Sequence, residues 1–235
     1  MLKNDLHIHS IGSGHAYSTI SEIFKYASDH KMDIIAIADH GPNMEGASHL
    51  GYFENITRLP KVIGSVLFLK SCEANILNTK GEIDIPPEIQ NKLDFVMAGI
   101  HRRTDYLSSD NKDKNTEAII NAIVNNNIKV ITHPIRPEFP VNILAITKMC
   151  AKNKVSMEIN LETLRANRNN TTFIRDIKSL IDNVIKNNGK LVISSDAHFV
   201  SEIGDDSILK ELKIHIPLGI LLKTKDQILR FINNQ

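Results

Sequence analysis

The chain lacks most of the features that mark whole classes of function. Only two of its 235 residues are cysteine, Cys72 and Cys150, both in apolar surroundings and without Cys-x-x-Cys spacing. No disulfide framework follows from that, and a reduced, cytoplasmic protein is the expectation. Formal net charge is only +1, from 28 basic and 27 acidic residues, and no basic block stands out. Wholesale nucleic-acid binding needs a strong basic footprint, so nucleic acid is not an expected partner, although a local phosphate site stays open. Apolar runs such as Val66-Leu67-Phe68-Leu69 are far too short to span a bilayer, and Met1-Leu2-Lys3-Asn4 leads into a strand with no apolar secretory segment. No membrane partner is expected. Repeats, low-complexity tracts and Gly/Ser linkers are missing, and no GxGxxG or GxxxxGK[ST] loop follows a strand. That counts against an open nucleotide-binding sheet.

What is present is an ordinary globular composition, 42% hydrophobic and 23% charged, at a length common for single-domain α/β barrels. One domain over residues 1–235 is the expectation. Apolar alternation and buried-type runs predict strands over residues 2–8, 33–38, 66–74, 95–100, 129–132, 155–160 and 191–194. Helical spacing predicts helices over 18–30 with Ser18 as N-cap, over 52–63 with an interruption at Pro60, and over 116–124, 143–151, 171–186, 207–212 and 226–232. Thr224 and Gln227 have capping-box spacing for the last of these, and Asn188-Gly189 closes the long helix before it. Strands and helices in alternation imply a parallel sheet covered by helices, either a barrel or an open sheet.

The chemistry lies just beyond the strands. Asp5, His7 and His9 share one face of the first strand, and His15 follows in its loop. The second strand ends in Asp39-His40, the third in Glu73, the fourth in His101, the fifth in His133 and the seventh in Asp196-Ala197-His198. The sixth offers Asn160, with Glu158 on the same face. In parallel α/β folds the C-terminal ends of the strands lie together and carry the site. A single histidine is ordinarily a surface or core residue; strand after strand ending in ligand types is a different observation. Nine candidates (His7, His9, His15, His40, Glu73, His101, His133, Asp196 and His198) are too many for one ion. At about three protein ligands per catalytic zinc they suggest about three ions, with Glu73 or Asp196 bridging two. A histidine-rich donor set favours zinc, with manganese or iron as competitors. Asp5 and Asp39 are expected to orient imidazoles through the unmetallated nitrogen, although an ordinary turn hydrogen bond serves Asp39 equally. His30 suits a helix C-terminus, His49 a solvated loop that could reach substrate, and His215 a structural place.

These motifs together resemble the polymerase and histidinol phosphatase (PHP) family. The resemblance rests on Asp5-Leu6-His7-Ile8-His9-Ser10, His15, Asp39-His40-Gly41-Pro42, Glu73-Ala74-Asn75, Gly99-Ile100-His101, Thr132-His133-Pro134, Glu158-Ile159-Asn160 and Ser195-Asp196-Ala197-His198. Within the family the chain looks closest to the small bacterial phosphatases of the YcdX-like group, through residues 13–19, residues 39–46, and Glu73-Ala74-Asn75-Ile76 with Gly81-Glu82-Ile83-Asp84. The resemblance implies a distorted (βα)7 TIM-like barrel with its metal site at the C-terminal ends of the strands, a trinuclear zinc cluster and phosphoesterase activity. By position it implies one ion on His7, His9, Glu73 and Asp196, a second on Glu73, His101 and His133, and a third on His15, His40 and His198. Arg102-Arg103 after His101 departs from the expected, less basic continuation.

The expected activity is phosphatase action on a small-molecule phosphate monoester. Its nucleophile is a metal-bound hydroxide held by Glu73, Asp196 and His101, because a divalent ion lowers the pKa of bound water. No Ser or Cys nucleophile is needed. Arg102 and Arg136 are the candidates for a bidentate phosphate contact. Histidinol-phosphate phosphatase, nuclease and non-catalytic phosphoester-binding module are the alternatives. Substrate choice is expected to depend on loops such as residues 105–114, and self-association into a homo-oligomer stays open.

Overall fold

Buried apolar runs set the frame. The computed structural model describes residues 1–106 and 110–234. Strands β1 (Asn4–Ile8) and β2 (Ile34–Ile37) pair in parallel, and every residue of β2 is buried, as in a parallel sheet covered on both faces. Between them α1 (Ile20–Asp29) buries Ile23, Phe24 and Ala27. Its N-cap is Thr19 rather than Ser18. The Thr19 hydroxyl accepts from the Glu22 amide, and the Glu22 carboxylate accepts from the Thr19 amide. The Ser18 hydroxyl instead accepts from Val200 N.

The helix expected over 52–63 is not continuous. Helix α2 (Leu50–Asn55) passes into a single 3-10 turn over Ile56–Arg58. Pro60 then forces Leu59 into extended backbone, and β3 (Val62–Ile63) turns back antiparallel onto β4 (Val66–Lys70).

The strand expected over 66–74 is likewise two strands, β4 and β5 (Glu73–Asn75). Ser71 N still donates to Ile37 O of β2, whereas Cys72 O accepts from Met97 N on the other side. The two ladders overlap here: Lys70 O already accepts from Asp94 N ahead of β6 (Val96–Gly99), and Glu73 N still donates to Asp39 O beyond β2. Strand β4 pairs with β2, and β5 with β6. Beyond β6 come β7 (Ile128–Ile131), β8 (Ser156–Asn160) and β9 (Leu191–Ser194), all parallel. The described strands form two sheets, in the orders β1-β2-β4-β3 and β5-β6-β7-β8-β9, and neither sheet closes on itself. The two meet at two seams, each with one parallel bridge, Ile8 opposite Ala197 and His40 opposite Glu73.

Helices α3 (Pro87–Gln90), α4 (Lys112–Asn125), α5 (Ile143–Lys152), α6 (Leu161–Ala166), α7 (Thr171–Lys186), α8 (Ser207–Glu211) and α9 (Lys225–Ile232) complete the order. Thr224 and Gln227 form the expected capping box of α9. Helix α6 is an addition to the expected pattern: Asn160, the last residue of β8, accepts from Thr163 N and starts it. A large apolar core packs the helices on the strands. A smaller one gathers Leu6, Ile34, Ala36, Met97, Val130 and Val192 from both sheets, with Ile228 and Ile232 of α9. Among the described residues no helix is long and apolar enough to cross a membrane.

Candidate metal centre

All parallel strands point their C-terminal ends the same way, so the ligand-type residues converge. His7 closes on the end of β1; His9 and His15 follow it; His40 follows β2; Glu73 opens β5; His101 and His133 lie just past β6 and β7; Asp196 and His198 lie past β9. Seven of the nine are buried, His198 is half-buried and His15 is exposed. Glu73 is the hub. One carboxylate oxygen lies 3.0 Å from His101 Nε2 and 2.8 Å from His133 Nε2. The other lies 3.2 Å from His7 Nε2 and 2.9 Å from His40 Nδ1. Asp196 Oδ1 lies 2.9 Å from His9 Nε2. Three overlapping groups, His7-His9-Asp196, His9-His40-His198 and His40-Glu73-His101, each bring their ligand atoms within 4.8 Å of one another. His15 stands beside them, its ring 5.0 Å from those of His40 and His198. His133 and Asp196 have positive φ angles, 25° and 57°. Non-glycine residues held there carry backbone strain, which persists where the surroundings over-determine it.

The hydrogen bonds fix which imidazole atoms face inward. His7 Nδ1 donates to Glu158 Oε1 at 2.8 Å. His9 Nδ1 donates to Ser13 Oγ at 2.8 Å, because the Ser13 hydroxyl spends its own proton on Asp39 Oδ1 at 2.6 Å. His198 Nδ1 donates to Asp196 O at 2.9 Å. The Nε2 atoms of His7 and His9 then face inward, as lone pairs once both rings are neutral. They lie 3.0 Å apart and against two carboxylates. Glu73 Oε2, Asp196 Oδ1 and His40 Nδ1 are buried with no hydrogen-bond partner among the described residues. Lone pairs aimed at lone pairs are stable only with positive charge between them, a proton on His7 Nε2 or a metal ion in its place. Two ligands on one tetrahedral zinc ion lie about 3.3 Å apart, so spacings of this order fit shared coordination.

The charges respond accordingly. Burial pushes His7 toward neutrality, but Glu73, Glu158 and Asp196 outweigh it and raise its pKa well above the ordinary 6.5. His9 is held well below that value by burial and by His40, and burial takes His101 down to about 3. Burial opposes ionisation of Glu73 and Asp196, yet the facing imidazoles, His7 foremost, hold both well below the usual carboxylate range.

Asp5 does not orient an imidazole. Its carboxylate accepts from the Ser195, Gly204 and His7 amides at 3.0, 2.9 and 3.4 Å, tying β1 to the segment after β9. Glu158 does what was expected of Asp5, and its other oxygen accepts from His133 N and Asn160 Nδ2. The signal was available: a carboxylate inside a buried parallel strand must be paired. Asp39 does reach an imidazole, through Ser13, and also accepts from Ser10 N, Ser10 Oγ and Tyr52 Oη. His30 stacks on Tyr26 and His49 caps α2, both in structural places.

The cluster opens into a pocket of about 600 Å³, whose wall includes His15, His40, His101, His133, Asp196 and His198. Arg102, Arg103 and Arg136 line it too, as does Glu162 at the start of α6, a residue the strand-end pattern passed over. The Arg136 side chain is 26% exposed, pairs with Glu138 at 2.7 Å and lies over the Phe139 ring at 5.7 Å. That of Arg102 is 71% exposed. Residues 107–109 of the loop expected to shape substrate choice lie outside the described residues.

A family profile described as the PHP domain matches residues 5–186. The chain belongs to the PHP family. Its relatives include a probable phosphatase of Clostridium acetobutylicum, 35% identical over 95% of this chain and 91% of the relative. The probable phosphatase YcdX of Escherichia fergusonii is 35% identical over 88% and 83%. Among solved structures, a histidinol phosphate phosphatase of Lactococcus lactis, determined with zinc, L-histidinol and phosphate, superposes with a TM-score of 0.59. It covers 92% of this chain and 96% of its own, at 16% identity, and so speaks to the fold.

Proposed function

We propose that this PHP chain, over residues 1–235, is a metal-dependent phosphatase that hydrolyses a small-molecule phosphate monoester at a trinuclear zinc site. The observation that carries the reading is the pair of inward-facing Nε2 atoms of His7 and His9, 3.0 Å apart and against Glu73 and Asp196. Relatives named probable phosphatases over most of both chains support the reaction class. His7, His9, Glu73 and Asp196 would hold one ion, Glu73, His101 and His133 a second, and His15, His40 and His198 a third. The imidazole-rich set suits zinc ahead of manganese or iron. When bound, such ions supply an activated water at neutral pH and positive charge against the phosphoryl oxygens.

The protein's own part is placement. Glu158 and the Ser13–Asp39 pair hold His7 and His9 in the tautomer that leaves Nε2 free. Glu73 reaches ligand atoms from both sheets. Arg136, the inner arginine, is steadied by Glu138 and Phe139 to grip the phosphoryl group with its planar fork. We read the two sheets as arcs of one distorted (βα)7 barrel, supported by their shared apolar cluster and the bridges at both seams.

Purified protein should carry about three metal ions per chain by elemental analysis, and should hydrolyse p-nitrophenyl phosphate. Full metal occupancy with no activity on any phosphomonoester overturns the proposal.

A further inference from the structure

Three guanidinium groups are more than one phosphoryl group needs when metal ions already face it. Arg102 and Arg103 follow β6, Arg136 follows β7, and β6 and β7 are neighbours, so the arginines crowd one side of the pocket mouth. The chain takes a left-handed turn at Arg103, with φ of 61°, and both Arg102 and Arg103 still line the pocket. Their neutralisation is uneven. Glu138 Oε1 lies 2.7 Å from Arg136 Nη2 but 3.9 Å from Arg102 Nε. Among the described residues no carboxylate pairs with Arg103. The other carboxylates lining the pocket are Glu45 of the loop after β2, Glu162 of α6 and Asp196 of the ligand cluster. Unneutralised guanidinium groups facing a pocket attract anions and hold them by bidentate contacts.

The pocket of about 600 Å³ has room for a metabolite-sized leaving group as well as the phosphoryl group. We propose that Arg102 and Arg103 bind a second anionic group on the leaving-group side, so that the preferred substrates are phosphomonoesters carrying another phosphate or a carboxylate. This rests on the phosphatase reading above. It runs against a cationic leaving group such as histidinol, which these arginines repel.

The test uses the zinc-loaded full chain and matched substrates: fructose 1,6-bisphosphate against fructose 6-phosphate, and 3-phosphoglycerate against glycerol 3-phosphate. At least one pair should show a kcat/KM preference of about tenfold for the more anionic member, the size expected of charged hydrogen bonds. The first pair reads a phosphate preference and the second a carboxylate preference. The preference should shrink as salt rises, because the groups are exposed. In Arg102→Gln/Arg103→Asn it should fall to within about twofold; asparagine tolerates the left-handed backbone at 103. Circular dichroism checks that the variant is folded, and Arg102→Gln alone serves if the pair is not. Equal kcat/KM within both pairs overturns the inference while leaving the phosphatase reading intact, as does a preference that survives the substitutions or best activity on histidinol phosphate. Protein that hydrolyses none of these, nor p-nitrophenyl phosphate, overturns both.

Discussion

His7 carries the sharpest electrostatic conflict in the molecule. Its Nδ1 is committed to Glu158, and its Nε2 faces His9, Glu73 and Asp196. Because its pKa lies well above 6.5, the metal-free fold holds it protonated at pH 7; that protonation stabilises the fold fully below 6.5 and ceases to do so as pH rises through the raised value. His9 and His101 are held below 6.5 and are already neutral, and Glu73 and Asp196 are already ionised. Zinc binding at pH 7 should therefore expel about one proton, from His7, and affinity should climb with pH until the raised value is passed and then level off. Titration calorimetry in buffers of different ionisation enthalpy reads the proton directly, and zero release at pH 7 contradicts the assignment. Glu158 is the lever on the same ring. Glu158→Gln removes the anionic acceptor of His7 Nδ1, and zinc affinity or kcat should fall by about 10- to 100-fold. Competition with a coloured chelator measures the first and steady-state kinetics the second; wild-type values for both would reduce Glu158 to a core polar residue.

At the scale of elements, the rim loops are fastened to one another. Asp84 accepts from Asn75 N, Asn75 Nδ2 and Asn43 N. Asn43 in turn donates from Nδ2 to Asp105 Oδ2 at 2.6 Å and accepts from Asp105 N at 2.7 Å. This latch joins the loop after β2 to the loop that carries Arg102 and Arg103. Even the glycine at 41 belongs to it, since a Cβ there would fall 2.3 Å from Asp84 Oδ1. Asn43→Ala should lower stability by about 1 kcal/mol, the worth of an ordinary hydrogen bond. Its larger effect should be a KM raised by about tenfold through misplaced arginines. Melting curves and Michaelis kinetics separate the two, and an unchanged KM with a lowered Tm would make the latch purely structural. The same scale shows what was readable. The strand-end ligands were legible because continuous apolar runs end abruptly in polar residues, as at Asp39-His40 and His101. The division of the third strand into β4 and β5 was not, because the backbone stays extended and bonded on both sides from Lys70 to Glu73 and only the neighbouring ladder differs. Helix α6 was hidden because it is short and shares Asn160 with the strand before it. Pro60 announced the end of a helix but not the antiparallel return of β3.

At the scale of the molecule, the candidate ligands straddle the joints of the fold. His7, His9 and His40 belong to the sheet of β1 and β2, whereas Glu73, His101, His133, Asp196 and His198 belong to the sheet of β5 to β9. The backbone joins these sheets at two seams: Asp196 N to His7 O and His9 N to Ala197 O at one, and Glu73 N to Asp39 O, Gly41 N to Glu73 O and Asp94 N to Lys70 O at the other. Ions held by side chains from both sides would act as staples across both joints. Their removal should leave the converging imidazoles and carboxylates balanced only by a proton on His7, at the seams between the sheets. At free zinc about a thousand times Kd, binding to the native state adds about 4 kcal/mol of stability. For a chain of this size that is about 10 °C in Tm. Chelation should lower Tm by this order, and the loss should be local. Hydrogen exchange should accelerate first at the amides of His9, Gly41, Glu73 and Asp196 on the two seams. The pairing of β8 with β9, which runs unbroken from Met157 opposite Leu191 to Asn160 opposite Ser194, should stay protected. Uniform acceleration across both sheets would mean that the ions stabilise the fold as a whole and do not staple its seams.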